Sequence, residues 1–152
     1  MVLEVAETRP ESRILAAAGR QHGLVTTAQL LAAGWSHDVI AGRVRAGWLR
    51  RMHHGVYLVG PLESPDARMM AAALAAGPGA LISHYPAAVL WELRPPAEGP
   101  IDVTVPRKIR GRPGITAHRA ILHPADVTRR HGIPATSAAR TVLDLAATST
   151  LH

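Results

Sequence analysis

Three apolar segments with helical spacing occupy the first third of the chain, separated by short glycine-containing breaks. They predict helices over residues 13–21, 28–34 and 37–47, each with apolar positions that share one face. A capping residue precedes each segment, and a glycine or His22-Gly23 ends it. The predicted caps are Ser12, then Thr26 or Thr27, then Ser36. The tight turn Gly34-Trp35 between the last two helices is typical of a helix-turn-helix.

A β-hairpin is predicted directly after the third helix. Leu49–Met52 and Val56–Val59 are the two apolar strands, and His53-His54-Gly55 supplies the turn, with a glycine available for a positive backbone angle. Three helices followed by a hairpin predict a winged helix-turn-helix.

The rest of the chain mixes helical and strand patterns. Apolar spacing predicts helices over residues 66–77, 84–93 and 138–147, the last capped by Ser137 and burying Val142, Leu143 and Ala146. Alternation predicts strands over residues 101–105 and 115–119, joined into a hairpin by the basic turn RKIRGRPG, and a further strand over 127–130. The whole chain is therefore predicted to be α+β, a winged helix-turn-helix followed by a small α+β domain.

Charge varies along the chain, whose formal net charge is +6. Residues 12–60 contain six arginines and one acid, whereas residues 61–102 contain two arginines and five acids. The sign changes within Gly60–Asp66, a segment rich in turn formers. This predicts a DNA-binding domain over residues 12–60 and a second domain over residues 61–152. A basic first domain favours an anionic partner such as nucleic acid.

Several classes of protein are disfavoured by composition. The chain has no cysteine, which excludes disulfides, thiol catalysis and cysteine-based zinc sites. Its most apolar run, Met69–Ala76, is far shorter than the roughly 18 residues of a membrane span. The acidic N-terminus, interrupted by Pro10, lacks the pattern of a signal peptide. We therefore expect a cytoplasmic protein with no membrane association.

No constellation in the sequence indicates catalysis or a metal. The nine histidines show no one-turn helical spacing of the HExxH kind, and His84 is expected to serve packing or hydrogen bonding. Asp102 and Lys108 are the only pair suggestive of nuclease chemistry, and no further acid accompanies them. The sequence thus predicts no enzyme, no catalytic residue, no metal site and no cofactor.

Double-stranded DNA is the partner that a basic winged helix favours, since a helix fits the major groove while a wing neutralises phosphates. On a helical wheel, His37, Asp38, Ala41 and Arg45 lie opposite the apolar side of the third helix, and Arg43 projects beside it, either toward a phosphate or over the hydrophobic packing. The predicted DNA contacts are Thr27, Gln29, Ser36, His37, Ala41, Arg43, Arg45, Arg50, Arg51, His53 and His54. A second contact is predicted at Arg107, Lys108, Arg110 and Arg112, with a solvated loop as the alternative.

Five segments carry a family resemblance: GLVTTAQLLAAGWSHDVIAGRVRAGWLRRMHHGVYLVG, SHYPAAVLWELRPP, IDVTVPRK, GITAHRA and HGIPATSAARTVLDLA. They resemble the AbiEi-type antitoxins of bacterial type IV toxin–antitoxin systems. The resemblance implies a winged helix that represses its own operon by binding operator DNA, followed by an antitoxin-like domain over residues 61–152. It also implies a functional link to a nucleotidyltransferase-like toxin, without a stable complex.

Two departures from this family matter. His37-Asp38 follow the serine that opens the third helix, where many relatives have basic residues. Many relatives also continue into a Vsr-like endonuclease domain, whereas this sequence ends at TSTLH. Two alternatives therefore stay open: an N-terminal fragment of a protein with such a domain, or a protein-interaction module that contacts a toxin.

Overall fold

In the computed structural model, which describes residues 9–149, the chain separates into two units between Glu63 and Ser64. The first unit contains a three-stranded sheet and the second a five-stranded sheet, each accompanied by helices. The predicted α+β class is confirmed. Residues 1–8, on which the signal-peptide prediction rests, lie outside the described part of the chain. No helix among the described residues is long and apolar enough to cross a membrane.

The first unit is the predicted winged helix-turn-helix with one additional strand. Its elements are α1 (Pro10–Arg20), β1 (Leu24–Thr26), α2 (Thr27–Ala32), α3 (His37–Arg45), β2 (Leu49–His53) and β3 (Val56–Val59). The sheet order is β1-β3-β2, with both pairs antiparallel. The sequence analysis missed β1, because a strand of three residues is too short to show an alternating pattern.

Side-chain caps fix the starts of two helices in this unit. The Thr26 hydroxyl accepts a hydrogen bond from the Gln29 backbone N–H (3.2 Å), and the Gln29 side chain accepts one from the Thr26 N–H (3.0 Å). Ser36 caps α3 by accepting from the Val39 N–H at 3.2 Å. The Ser12 cap was wrong: α1 begins at Pro10, because the fixed φ of proline suits the first helical turn.

One hydrophobic core holds the first unit together. Its buried residues come from the three helices, β1, the turn between α2 and α3, and the start of β2: Ile14, Ala18, Val25, Leu30, Ala33, Trp35, Ile40 and Leu49. Trp35 packs on Trp48 with ring centroids 5.6 Å apart. Leu15 and Leu31, which belong to the predicted apolar faces, are instead 53% and 38% exposed. The stripe that each short helix buries is thus narrower than the pattern indicates.

The second unit combines a mixed sheet with three helices. Its elements are α4 (Pro65–Ala76), β4 (Leu81–Ile82), α5 (His84–Leu90), β5 (Ile101–Val105), β6 (Ile115–Arg119), a 3-10 turn (Pro124–Asp126), β7 (Val127–Arg130), β8 (Ile133–Thr136) and α6 (Ala138–Ser149). The strand order is β6-β5-β4-β8-β7. The hairpin of β7 and β8 turns at His131 and Gly132, both with positive φ, as a two-residue turn requires.

The predicted hairpin of β5 and β6 was wrong. These neighbouring strands are parallel, with Ile101 beside Ile115 and Val105 beside Arg119. The basic segment between them is therefore a crossover that runs back along the sheet, since a parallel pair cannot be joined by a tight turn. Strand alternation predicts that two segments are strands, but it does not determine their relative direction.

The last helices also differ from their predicted burial. In α6, Thr141 is buried and bonds the Thr136 hydroxyl at 2.8 Å, whereas Val142 and Leu143 are 53% and 66% exposed and Ala146 is exposed too. The apolar residues of this helix thus form a face that is not buried against any other described residue. Helix α5 ends at Leu90, before the predicted Leu93, because Glu92 adopts a left-handed conformation (φ 58°).

Candidate nucleic-acid interface

Helix α3 presents a polar face to solvent. Ile40, only 4% exposed, anchors the helix in the core. On the opposite side His37, Asp38, Ala41 and Arg45 are all exposed, as the helical wheel predicts. An exposed helix face of mixed polarity, held by a buried opposite face, is the geometry that major-groove recognition needs.

Arg43 lies over the aromatic part of the core. Its guanidinium carbon is 5.0 Å from the centroid of the Trp35 ring and 5.4 Å from that of Trp48, and a guanidinium nitrogen is 3.9 Å from a Glu11 carboxylate oxygen. These are cation–π distances. Of the two roles open for Arg43 in the sequence, the structure places it over the hydrophobic packing.

The wing carries two arginines with different partners. Arg50 forms an exposed ion pair with Glu63. A guanidinium nitrogen of Arg51 donates to Nδ1 of His54 at 2.8 Å. Because arginine has no acceptor, Nδ1 of His54 must carry the lone pair, so this contact requires the ring to hold its proton on Nε2. Both arginines are on the surface, where phosphate oxygens would compete with these partners.

The tip of the wing is tied to the start of α2. The Thr27 N–H donates to the Gly55 carbonyl at 2.9 Å, and Gly55 has a φ of 74° that favours glycine. A register shift between Arg51 and His53 shows a bulge in β2 beside this tip. The wing is therefore a fixed hairpin whose tip lies next to the N-terminus of α2.

Some predicted contact residues also serve the fold. The Gln29 side chain caps α2 and exchanges two hydrogen bonds with Gln21 (2.9 and 3.2 Å), and the Ser36 hydroxyl caps α3. Thr27 and His53 are half-buried. The predicted contacts whose side chains are exposed and do not cap a helix are thus those of the α3 face and the wing, namely His37, Ala41, Arg45, Arg50, Arg51 and His54.

The contact between Glu63 and the wing was not predicted from the sequence. Glu63 was assigned to the acidic second region, and its closeness in sequence to the end of the first domain at Gly60 was the only signal of such a contact. In the structure Glu63 is the ion-pair partner of Arg50 and belongs to the first unit. An acid beside the wing reduces the charge that the wing offers to an anion.

The second predicted contact lies in the other unit. Arg107, Lys108 and Arg110 are exposed in the crossover between β5 and β6, and Arg112 is half-buried. Arg107 donates to the Pro78 carbonyl at 2.7 Å, which fixes the start of this loop. The loop thus presents several exposed cations on the second unit.

Comparison with known proteins agrees with the fold of both units. Residues 12–60 match the family model described as transcriptional regulator, AbiEi antitoxin. The crystal structure of the RV2827C protein from Mycobacterium tuberculosis has the same fold, with a TM-score of 0.52 and 20% identity. The match covers 90% of this chain but 60% of that one, so this chain spans less than two thirds of its length. Comparison with curated sequences gave no match.

The family match falls on the winged helix and on the segment GVYLVG that ends it. It agrees with the resemblance stated from sequence over this part of the chain. Residues 12–60 are therefore similar to the AbiEi antitoxin family of transcriptional regulators, a match that covers the winged helix and does not extend to the second unit.

Proposed function

We propose that this protein is a DNA-binding autorepressor that recognises operator DNA through the exposed face of α3 and the wing. The observation that carries the proposal is that Arg45 on α3 and both Arg50 and Arg51 on the wing are exposed within the module that matches the family model. A groove-sized helix beside a cationic hairpin is suited to a duplex, because the helix reads base edges while the hairpin neutralises phosphates.

Different residues take different roles in this proposal. His37 and Arg45 contact bases in the major groove, and Arg50, Arg51 and His54 contact the backbone. Arg50 exchanges Glu63 for a phosphate, and Arg51 exchanges His54. Because these backbone contacts release counterions from DNA, the affinity falls steeply as salt rises.

The test is binding to DNA from upstream of the gene, compared with a scrambled duplex of equal length, by fluorescence anisotropy at two salt concentrations. We expect tighter binding to the upstream duplex and loss of that preference in an Arg45→Ala, Arg50→Ala, Arg51→Ala triple variant. The matched control removes three exposed arginines elsewhere, Arg13→Ala, Arg20→Ala and Arg94→Ala, which carry the same total charge.

The outcomes separate recognition from general charge. If both triple variants weaken binding equally, net charge rather than the α3 and wing surface determines affinity. Equal, salt-sensitive binding of the unchanged protein to both duplexes would leave only general DNA affinity. No binding at either salt concentration would contradict the proposal.

The basic crossover is proposed as a second DNA contact. Replacing Arg107, Lys108, Arg110 and Arg112 with alanine should then weaken binding to every duplex by a similar factor and lower the salt slope. If the loop is only solvated, affinity and salt slope will be unchanged.

The antitoxin role is proposed to act on a nucleotidyltransferase-like toxin without a stable complex. We expect co-expression to relieve growth inhibition by the toxin encoded beside the gene, with no toxin retained when this protein is purified. Stable co-purification would instead favour the protein-interaction alternative, for which the exposed Val142 and Leu143 of α6 are the supporting observation.

A further inference from the structure

Three polar side chains distant in sequence meet at one end of the second unit. His84 is the first residue of α5, Asp102 lies on β5 and His118 lies on the neighbouring strand β6. One ligand-type atom from each lies within 4.8 Å of the other two. His118 Nε2 is 2.8 Å from a carboxylate oxygen of Asp102, and the rings of His84 and His118 stack with centroids 3.8 Å apart.

The fold positions each of these groups. Asp102 and His118 lie on one face of the parallel pair, because Asp102 is beside Thr116 and His118 is two residues further along β6. His84 adopts a left-handed conformation (φ 56°), which is uncommon for a residue with a side chain and clusters at functional positions.

A second layer of hydrogen bonds orients His84. Its Nδ1 lies 2.9 Å from the hydroxyl of Ser83, and Ser83 in turn accepts a hydrogen bond from Thr104 at 2.8 Å. Ser83 is fully buried and Thr104 is 3% exposed, so this pair is fixed within the protein. A hydrogen bond on one imidazole nitrogen is the usual way in which a protein directs the other nitrogen toward a metal.

We propose that His84, Asp102 and His118 bind a divalent transition-metal ion of the Zn²⁺ type, a site that the sequence does not indicate. His84 contributes Nε2, His118 contributes Nε2 and Asp102 a carboxylate oxygen. The ion replaces the hydrogen bond between His118 Nε2 and Asp102. Two imidazoles and one carboxylate form a donor set that borderline divalent ions prefer.

The three groups are close enough to converge on one ion once the side chains rotate. Zinc bonds of roughly 2.0 to 2.2 Å place ligand atoms about 3.3 Å apart in a tetrahedron, whereas the ligand atoms here lie within 4.8 Å of one another. The stacked rings of His84 and His118 have to turn so that their in-plane lone pairs meet at the ion. The side chains of His118 and Asp102 are 33% and 24% exposed, which gives the ion a path from solvent.

Three protein ligands leave a fourth position for water or for a donor atom of another molecule. Asp102 also borders a cleft of about 490 Å³, lined mainly by apolar atoms of α4, α5 and the segment before β5. One ligand of the proposed ion therefore also borders a cleft large enough for a small molecule.

The first experiment uses the full chain without a polyhistidine tag, after treatment with a chelator. Isothermal titration with Zn²⁺ should show saturable binding of one ion per chain. His84→Ala, Asp102→Asn and His118→Asn should each weaken it by more than roughly 100-fold, because loss of an outer hydrogen-bond partner alone costs about 10- to 100-fold. His37→Ala, an exposed histidine of the first unit, is the matched control and should bind as the unchanged chain does.

A second measurement needs no substitution. Co²⁺ added to the unchanged protein should give the intense visible absorption of a four-coordinate ion, and Zn²⁺ should remove it by displacement. The proposal is overturned if no saturable binding occurs, if the spectrum is that of hydrated Co²⁺, or if the three variants retain the affinity of the His37→Ala control. DNA binding plays no part in these measurements, so they are independent of the proposed repressor function.

Discussion

The wing of the first unit and the histidine cluster of the second use polar side chains in contrasting ways. Arg50 and Arg51 are exposed, and both have side-chain partners at or near the surface. His84, Asp102 and His118 are half-buried and are supported by the buried Ser83 and Thr104. Exposed cations act mainly through charge and are screened by salt, whereas a supported cluster acts through the positions of particular atoms. The first surface should therefore tolerate small changes of geometry better than the second.

The largest effect is expected from Leu58→Ala, which should destabilise the first unit and leave the second unit folded. Leu58 is fully buried in β3, and its truncation should destabilise the winged helix by about 2–5 kcal/mol. We expect operator binding to be lost on mild heating while Co²⁺ absorption by the second unit persists. Thermal unfolding followed by circular dichroism and by Co²⁺ absorption measures both. Simultaneous loss of the two signals would show that the units unfold together.

Ser83→Ala should affect the metal cluster alone. Without its hydroxyl, His84 loses the partner on Nδ1, so Zn²⁺ affinity should fall by about 10- to 100-fold. Titration calorimetry measures the change, and DNA affinity should stay constant. The control is Ser137→Ala, which removes the cap of α6 in the same unit but no contact to the cluster. An equal loss of Zn²⁺ affinity in both variants would mean that general stability is responsible.

Arg43→Ala and Arg45→Ala should separate packing from recognition within α3. Removing Arg43 takes a cation from the rings of Trp35 and Trp48, which should lower stability by about 1 kcal/mol without changing the salt slope of DNA binding. Removing the exposed Arg45 should weaken DNA binding at constant stability. Thermal unfolding and anisotropy titrations distinguish them, and the reverse pattern would contradict the assigned roles.

Glu63→Gln should have the smallest effect. It frees Arg50 from an exposed ion pair that contributes at most about 1 kcal/mol, so DNA affinity should rise by up to roughly fivefold. The matched control is Glu98→Gln, which removes the same charge from an exposed position of the second unit. An equal gain in both variants, measured at one salt concentration, would assign the effect to net charge.

Local patterns were sufficient in the first unit because its elements follow one another at short range. The caps at Thr26 and Ser36, the buried Ile40 and the hairpin around Gly55 are all specified by neighbouring residues. The partner of Arg50 was not predictable, because an ion pair between residues 13 positions apart depends on how the chain leaves the wing.

The sequence by itself determined the α+β class, the winged helix, the exposed residues of α3 and the likeness of residues 12–60 to the AbiEi antitoxin regulators. Helical and strand periodicities, caps and glycines act over a few residues, which is why they can be interpreted without a structure. Only the tertiary structure decided that β5 and β6 are parallel and that α6 leaves Val142 and Leu143 exposed. It alone also brought His84, Asp102 and His118 together, because long-range strand pairing leaves no mark in the spacing of residues along the chain.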